Sequence, residues 1–275
     1  MPEMKKVLIT VMTYPTISKK YDELVCTAGM QEDGSWIRIY PLPFRKLDDQ
    51  QQFKKYQWIE APFEKNDKDP RPESHHVIDI TKIKLLNIVD TDNNWKERKK
   101  IIFNKEPIFT NLAELIEKAK NNERSFAIFK PKSIDDFICK KTDKEWPADK
   151  LVLLKEKSKQ LSFFRPAEEI EKEFHIVPKL PYKFSYKFRD DQNKKSTLMI
   201  EDWDVGKLYW DSLNKCQDRI NPERCAVNMV KHEYFYKLKE EKEKNFYFIL
   251  GTLAKFHGRS KNPFVIVGTF SLPKE

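Results

Sequence analysis

The sequence predicts an α+β protein with a small N-terminal β-barrel-like domain, of the OB, SH3-like or PUA-like type, and a C-terminal antiparallel sheet with helices. Short apolar runs separated by turn signals fill the first ninety residues, and a ββααββ order of patterns follows residue 180. Nineteen Phe, ten Tyr and six Trp supply apolar surface for a folded interior. We expect a barrel domain over residues 1–90, a mostly helical connecting segment over 91–160 and an α+β domain over 161–275.

The first domain is predicted from five short apolar runs at residues 7–12, 23–30, 35–40, 56–63 and 77–89. Asp33-Gly34, between the second and third runs, is the dipeptide of a tight hairpin turn. Five short strands that each bury one face suit a small closed sheet.

The connecting segment is predicted to be mostly helical. Apolar residues recur at helical spacing in three stretches of the chain, 95–103, 111–121 and 167–174. Ser133 is expected to cap a short helix that reaches Ile138, and residues 125–129 form a short apolar strand. The lysine-rich stretch 140–160 is typical of a linker or an exposed loop.

The C-terminal domain begins with a strictly alternating strand at residues 182–189, which has one aromatic face and one basic face. Residues 197–201 complete a hairpin with it, and the runs 246–253 and 263–270 predict two further strands. Between these pairs, Asp204 is expected to cap one helix, and Asn221-Pro222 opens a longer helix that ends near residue 244.

Composition excludes several classes of enzyme site. With only six Gly, the chain contains no G-x-G-x-x-G or G-x-x-x-x-G-K-[ST] phosphate loop and no G-x-S-x-G nucleophile turn. The net charge of +9 favours an anionic partner, although lysine-rich composition alone also produces a solvated basic surface. Residues 1–90 contain 14 basic and 14 acidic side chains, so the excess positive charge lies after residue 90.

Four cysteines without a C-x-x-C spacing and the lack of a long apolar run predict a cytoplasmic protein with reduced thiols. A spanning helix needs ~20 apolar residues, so we expect no membrane association.

One surface of the predicted barrel combines aromatic and basic residues. Trp36, Arg38 and Tyr40 point to one face of a strand, where rings stack on bases and a guanidinium contacts phosphate. Lys55 and Trp58 repeat this combination nearby. The alternative is that Trp36 and Tyr40 pack in the interior and Arg38 pairs with an acid.

A second basic stripe lies on the alternating C-terminal strand. Lys183, Lys187 and Arg189 occupy one face of it, with ~6–7 Å between alternate residues. Together with Arg45, these side chains are expected to neutralise phosphates. The sequence therefore predicts a nucleic-acid-binding protein and leaves DNA or RNA open. The alternative is a lysine-covered sheet surface that prevents aggregation.

Two sets of residues that contain acids favour a different interpretation, in which the protein is a metal-dependent nuclease or a nucleotide-processing enzyme. Asp69, Glu73 and His75 are near one another in sequence, as a metal or acid–base site requires. Asp202 and Asp204 stand at a strand end, where paired acids suit Mg²⁺. The simpler interpretation is that Asp204 caps a helix and Asp202 pairs with a lysine. Outside the nuclease hypothesis, no cofactor or metal is predicted.

A third hypothesis is an interaction subunit of a larger complex, whose partner supplies the chemistry. A lysine-covered surface without a clustered site would favour it. A protein partner or a homo-oligomer stays open.

Four motifs are spread along the chain: Thr13-Tyr14-Pro15, Val25-Cys26-Thr27-Ala28-Gly29, Trp36-Ile37-Arg38-Ile39-Tyr40-Pro41 and Asp202-Trp203-Asp204. In this order they resemble an uncharacterised family of bacterial proteins, and the resemblance extends over nearly the whole chain. It implies no activity. Some relatives carry Cys and His just before the Asp-Trp-acid triplet, but residues 189–197 of this chain contain neither, so no metal site is implied there.

Overall fold

A computed structural model describes residues 2–18, 22–44, 47–152, 156, 177–241 and 244–274. Within them, a closed N-terminal barrel is followed by two helices and then by antiparallel strands with helices. The predicted α+β class is therefore confirmed, as are the β-barrel at the start of the chain and the sheet with helices at its end.

Five strands close the N-terminal barrel because its first strand pairs with two neighbours. The first half of β1 (Glu3–Met12) pairs with β6 (Gln57–Lys65), and its second half pairs with β4 (Thr27–Gln31). β5 (Trp36–Ile39) forms a hairpin with β4 and a parallel pair with β7 (Ser74–Val77), which returns to β6. The closed order β1-β4-β5-β7-β6 leaves no edge open within the barrel.

Three further strands decorate the barrel. β2 (Thr16–Ser18) and β3 (Asp22–Leu24) form a separate hairpin, and β8 (Lys84–Ile88) extends the sheet beside β6. The run 77–89, predicted as one strand, is interrupted because the Asp79 side chain accepts a hydrogen bond from the Thr81 N–H and starts a 3-10 turn.

The described residues 92–152 contain three helical stretches and three strands. α1 (Asp92–Ile102) and α2 (Leu112–Lys120) match the two predicted helices. β9 (Ile108–Phe109) pairs in parallel with β10 (Phe126–Phe129), and residues 148–152 are helical. The helix predicted at 167–174 lies outside the described residues.

The short helix predicted to begin at Ser133 is wrong, because the chain forms β11 (Ser133–Lys141) there. The register against the next strand shifts between Ile134 and Asp136, so one extra residue bulges out. This bulge places Ile134 and Phe137 three residues apart on the inner side of the sheet, a spacing that is also typical of a helix.

The C-terminal strands form two sheets that pack against each other, with the ring centroids of Phe188 in one and Phe248 in the other 5.2 Å apart. β11 pairs with β12 (Tyr182–Arg189), which pairs with β13 (Lys195–Met199). β14 (Lys244–Thr252) and β15 (Phe264–Pro273) form the second hairpin and extend the sheet of β10 and β9. A parallel bridge from Ile200 to Ile266 joins the two sheets. Both predicted hairpins, β12 with β13 and β14 with β15, are present, and they belong to different sheets.

Helices connect these two hairpins. α3 (Trp203–Lys215) is followed by α4 (Pro222–Lys231), a π-helix (His232–Tyr236) and α5 (Lys237–Glu240). The last three run on from one another, which confirms the long helix predicted after Asn221-Pro222.

The buried apolar residues form three clusters. One fills the barrel, a second lies between the C-terminal sheets and helices, and a third lies between the barrel and the β10–β14–β15 sheet. The third cluster includes Trp36 from the barrel together with Phe126, Ile249 and Val267 from that sheet. One face of the barrel is therefore covered by the second half of the chain.

Close packing of α3 on the barrel gives a testable result. A Cβ at Gly206 would overlap the ring of Tyr14, whose hydroxyl accepts a hydrogen bond from Trp210 Nε1 at 2.7 Å and donates to the Pro178 carbonyl at 2.9 Å. Gly206→Ala is expected to lower the free energy of unfolding by about 1–3 kcal/mol. Helix propensity alone would instead raise it by about 1 kcal/mol.

Urea unfolding of both proteins measures the sign. Asp211→Ala, at an exposed position of the same helix, is the control and should change stability by less than about 0.5 kcal/mol. A gain in stability for Gly206→Ala would contradict the close contact.

Candidate nucleic-acid interface

The expectation that Trp36 and Arg38 lie on an open surface is wrong. Their exposed fractions are 5% and 3%. Trp36 stacks on Phe126 with ring centroids 5.0 Å apart, and the Arg38 guanidinium lies 3.9 Å from the same ring. The two residues do face away from Ile37 and Ile39, as predicted, but the second half of the chain covers that side of β5.

The other proposed ring and arginine positions are divided. Tyr40 and Trp58 are half-buried, and the Arg71 guanidinium lies 5.9 Å from the Tyr40 ring. Arg45 lies outside the described residues. The structure therefore does not bring Trp36, Arg38, Tyr40 and Trp58 together into one open stacking surface.

Arg38 instead belongs to a buried network of hydrogen bonds. It donates a hydrogen bond to Ser125 Oγ at 3.0 Å, and Ser125 donates through its N–H to the Glu73 carboxylate at 2.8 Å. Burial and the nearby charge of Arg71 lower the pKa of Arg38 to about 9. This network joins the barrel to the residue that precedes β10, which explains why an arginine occupies a buried strand position.

Asp69, Glu73 and His75 do not converge on a common point. Asp69 accepts hydrogen bonds from Arg71 Nε at 2.9 Å and from Ser74 Oγ, whereas Glu73 contacts Ser125. His75 Nδ1 contacts the backbone carbonyl of Glu73 at 2.9 Å. These residues hold the loop between β6 and β7 and its contact with Ser125.

Arg71 extends this contact across the barrel surface. Its Nη1 donates to the Thr252 carbonyl at 2.7 Å, and the Thr252 hydroxyl lies 3.0 Å from His257 Nδ1. His257 Nε2 lies 2.8 Å from Asn122 Oδ1, and Asn122 donates to the Pro70 carbonyl at 2.9 Å. Burial lowers the pKa of His257, so its neutral ring accepts from Thr252 and donates to Asn122.

Lys55 forms the second charged link between the halves. It pairs with Asp202 and, at 2.8 Å, with Asp204, and its side chain is 15% exposed. Burial alone would lower the pKa of Lys55, but the two carboxylates outweigh burial and raise it. With its ammonium shared between two acids, Lys55 has no free charge to offer to a phosphate.

Asp202, not Asp204, caps α3. Its side chain accepts a hydrogen bond from the Asp204 N–H at 3.1 Å. The predicted pairing of Asp202 with a lysine is observed. The residue that caps α3 lies two positions before the predicted one, because Asp202 both pairs with Lys55 and caps the helix. Within the described part of the chain, no group of three or more His, Cys, Asp and Glu side chains is arranged to hold a metal ion. The nuclease hypothesis stays a prediction.

The alternating strand is confirmed. Phe184, Tyr186 and Phe188 are buried on one side of β12, and Lys183, Lys187 and Arg189 lie on the other. We call the outer side of β11, β12 and β13 the basic face, and its cations are Lys140, Lys183, Lys187, Arg189 and Lys195.

Two pairs of like charges stand directly opposite each other on the basic face. Lys140 is opposite Lys183, and Arg189 is opposite Lys195. Asp135 lies 3.2 Å from Arg189 Nε. Among the described residues, no acid is within ion-pair distance of Lys140, Lys183, Lys187 or Lys195.

Sequence reasoning missed Lys140 and Lys195. Lys140 falls in the stretch 140–160 that was predicted to be a linker or an exposed loop, and Lys195 was assigned to the hairpin loop. Pairing the predicted strand 182–189 with the strand that follows it would have placed Lys195 opposite Arg189. Of these two lysines, the sequence could therefore have indicated Lys195 but not Lys140.

Two family models match the chain in sequence. One, described as Domain of unknown function (DUF8758), matches residues 3–104, and the other, described as Domain of unknown function (DUF8757), matches residues 108–275. The chain belongs to the DUF8757 family. The resemblance to an uncharacterised family is thereby confirmed, and neither description states an activity. The basic face lies within the DUF8757 region, whereas Lys55 and Arg71 reach that region from the DUF8758 region.

No curated protein sequence matches this DUF8757 chain. Among solved structures, that of a murine DNA-binding protein bound to double-stranded DNA matches with a TM-score of 0.28 and 9% identity, covering 99% of this chain and 96% of the other. A similarity this low gives no information on fold or function.

Over the residues that the structure describes, no helix of the DUF8757 chain is both long enough and apolar enough to cross a bilayer.

Proposed function

We propose that the chain binds nucleic acid and that the basic face contacts its phosphates. The supporting observation is that like charges stand directly opposite each other at the two ends of β12, Lys183 opposite Lys140 and Arg189 opposite Lys195. Like charges directly opposite each other destabilise a sheet. A polyanion laid along β12 compensates both pairs at once.

The dimensions of the basic face suit an extended anion. Lys183 and Arg189 are six residues apart on one strand, so about 20 Å separates the two ends of the row. Lys187 lies between them, and Lys140 and Lys195 widen the row by one strand spacing, ~4.8 Å, on either side. A row of this length spans several consecutive phosphates.

The basic face provides charge rather than base recognition. Its described outward side chains beside the cations include Ser185, Ile138, Thr197 and Asp136, which stands opposite Lys187, and no aromatic ring. We therefore expect contacts to the backbone of the nucleic acid and little dependence on sequence, in place of the stacking that Trp36 and Tyr40 were predicted to supply.

The test is fluorescence anisotropy with labelled single-stranded DNA, double-stranded DNA and RNA at two salt concentrations. Binding should weaken with salt because counterions are released on contact. The double variant Lys183→Ala, Lys187→Ala should lose about tenfold or more in affinity, and its log K against log[salt] slope should fall by about 1–2.

Lys96→Ala with Lys100→Ala, two exposed lysines of α1, is the matched control and removes the same charge elsewhere. An equal loss in this control would assign the effect to net charge. Absence of binding to all three nucleic acids at low salt would refute the proposed function.

A further inference from the structure

A cavity of about 600 Å³ opens beside Asp204, on the side of β12 opposite the basic face. Its volume is within the range of small-molecule sites. Its lining includes the aromatic residues Trp95, Tyr186, Tyr234, Phe246 and Phe270, of which Trp95, Tyr234 and Phe246 are only half-buried. The accessible ring surface of these three favours a flat ligand that can stack.

The π-helix forms one wall of this cavity. Its wider turn places Glu233 and Tyr234 on the cavity side, and the Tyr186 hydroxyl donates to the Tyr234 carbonyl. Burial and the charges of Asp202 and Asp204 raise the pKa of Tyr234, so its phenol stays a neutral group next to these acids. π-helices occur frequently at functional sites.

The charges around the cavity leave one acid uncompensated. Glu233 pairs with Lys237 at 3.0 Å, and Glu241 pairs with Lys244 at 2.8 Å. Asp204 has only Lys55, which Asp202 shares. Two carboxylates on one ammonium leave a net negative charge at this end of the cavity.

Asp204 is the accessible member of the group, since its side chain is 56% exposed and lines the cavity. The nearby Arg98 does not neutralise it. Arg98 lies on the rings of Tyr56 and Trp95 and donates to the Val89 carbonyl.

We propose that this cavity binds a nucleoside whose base carries an amino group, with the ring between the aromatic walls and the amino group donating to Asp204. An ionised carboxylate only accepts hydrogen bonds, so it selects ligands with N–H donors. Adenine, cytosine and guanine carry such an amino group, whereas purine riboside, the adenosine analogue without the amino group, has no N–H donor on its base. The uncompensated charge at Asp204 repels phosphate, so a nucleoside is preferred over its nucleotide. The inference does not depend on nucleic-acid binding by the basic face.

Isothermal titration calorimetry of the full chain with adenosine, cytidine, purine riboside and adenosine monophosphate tests the specificity without any variant. Adenosine or cytidine should bind at least tenfold more tightly than purine riboside and than adenosine monophosphate, because the hydrogen bond to a charged group is lost with purine riboside and repulsion is added with the monophosphate. Equal affinities for all four, or no binding of any, would overturn the proposal.

Asp204→Asn removes the uncompensated charge and leaves Lys55 paired with Asp202. In this variant the affinity for adenosine or cytidine should fall to that for purine riboside, and in the control Asp211→Asn, on the same helix, it should be unchanged. Unchanged affinity in Asp204→Asn would contradict the role of Asp204. A short oligo(dA) competitor should not displace bound adenosine, and displacement would overturn the restriction to free nucleosides.

Discussion

Lys55→Met is expected to lower the free energy of unfolding at pH 7 by about 3–5 kcal/mol, the cost of removing one partner from a buried ion pair. Asp202 is buried, and its charge is compensated by Lys55 and by the Asp204 N–H. Met keeps the length of the side chain but leaves the Asp202 carboxylate without its cation. Urea unfolding at pH 7 measures the loss.

The deficit of this variant should depend on pH. Without Lys55, burial and the Asp204 charge both raise the pKa of Asp202 above its unfolded value, ~3.9. Between these two pKa values the native state binds more protons than the unfolded state, so its stability rises as the pH falls. The difference from wild type should therefore shrink from pH 7 towards pH 5.

Two variants control this prediction. Lys54→Met changes the exposed neighbouring lysine and should cost less than about 0.5 kcal/mol. Adding Asp202→Asn to Lys55→Met removes the stranded charge and should restore part of the loss at pH 7. A deficit that is the same at pH 5 and pH 7 would show that the lost packing of Lys55, rather than the charge of Asp202, is responsible.

The periodicity of the sequence correctly predicted those helices and strands whose pattern depends only on neighbouring residues. The alternation from Tyr182 to Arg189 gave both faces of β12, since a strand repeats every two residues wherever it pairs. Asn111 marked the start of α2, whose first N–H groups it caps. β11 was not predictable in this way, because its bulge replaces a spacing of two by a spacing of three.

Contacts between distant residues were beyond the sequence. Trp36 and Arg38 have the pattern of a half-exposed strand, and only the β10–β14–β15 sheet, which follows much later in the chain, buries their side of it. Lys55 stands beside rings in the sequence, but its partners Asp202 and Asp204 are 147 and 149 residues away. A basic residue beside aromatic residues therefore did not distinguish a phosphate contact from a link between the two halves.

Arg71→Met is expected to have an effect of similar size, about 3–5 kcal/mol at pH 7. The Arg71 guanidinium is buried, holds the Asp69 carboxylate through two of its nitrogens and donates to the Thr252 carbonyl. The variant removes the cation from a buried carboxylate, which keeps only uncharged donors such as Ser74 Oγ, and it removes the Arg71 donor from the Thr252 carbonyl. Arg71→Lys should restore only part of the loss, because an ammonium cannot reproduce the planar fork.

Arg124→Met is the comparison, because Arg124 pairs with Glu106 at 2.8 Å and the two side chains stay 21% and 13% exposed, against 2% and 4% for Arg71 and Asp69, so water compensates more of its loss and Arg124→Met should cost less than Arg71→Met. Chemical unfolding of Arg71→Met, Arg71→Lys and Arg124→Met at pH 7 measures the loss of stability in each variant. A loss for Arg71→Met no larger than for Arg124→Met would contradict the role of the buried pair.

Acid unfolding separates the charge of Asp69 from the packing of Arg71. Burial alone would raise the pKa of Asp69, but hydrogen bonds from Arg71 and Ser74 outweigh it and lower the pKa to about 2. A carboxyl group with a lowered pKa stabilises the native state above its unfolded pKa, ~3.9, and this contribution is lost as the pH falls towards 2. Asp69→Asn should therefore flatten the decline in stability between about pH 4 and pH 2. An unchanged decline would mean that other carboxyl groups, and not the Asp69–Arg71 pair, control acid unfolding.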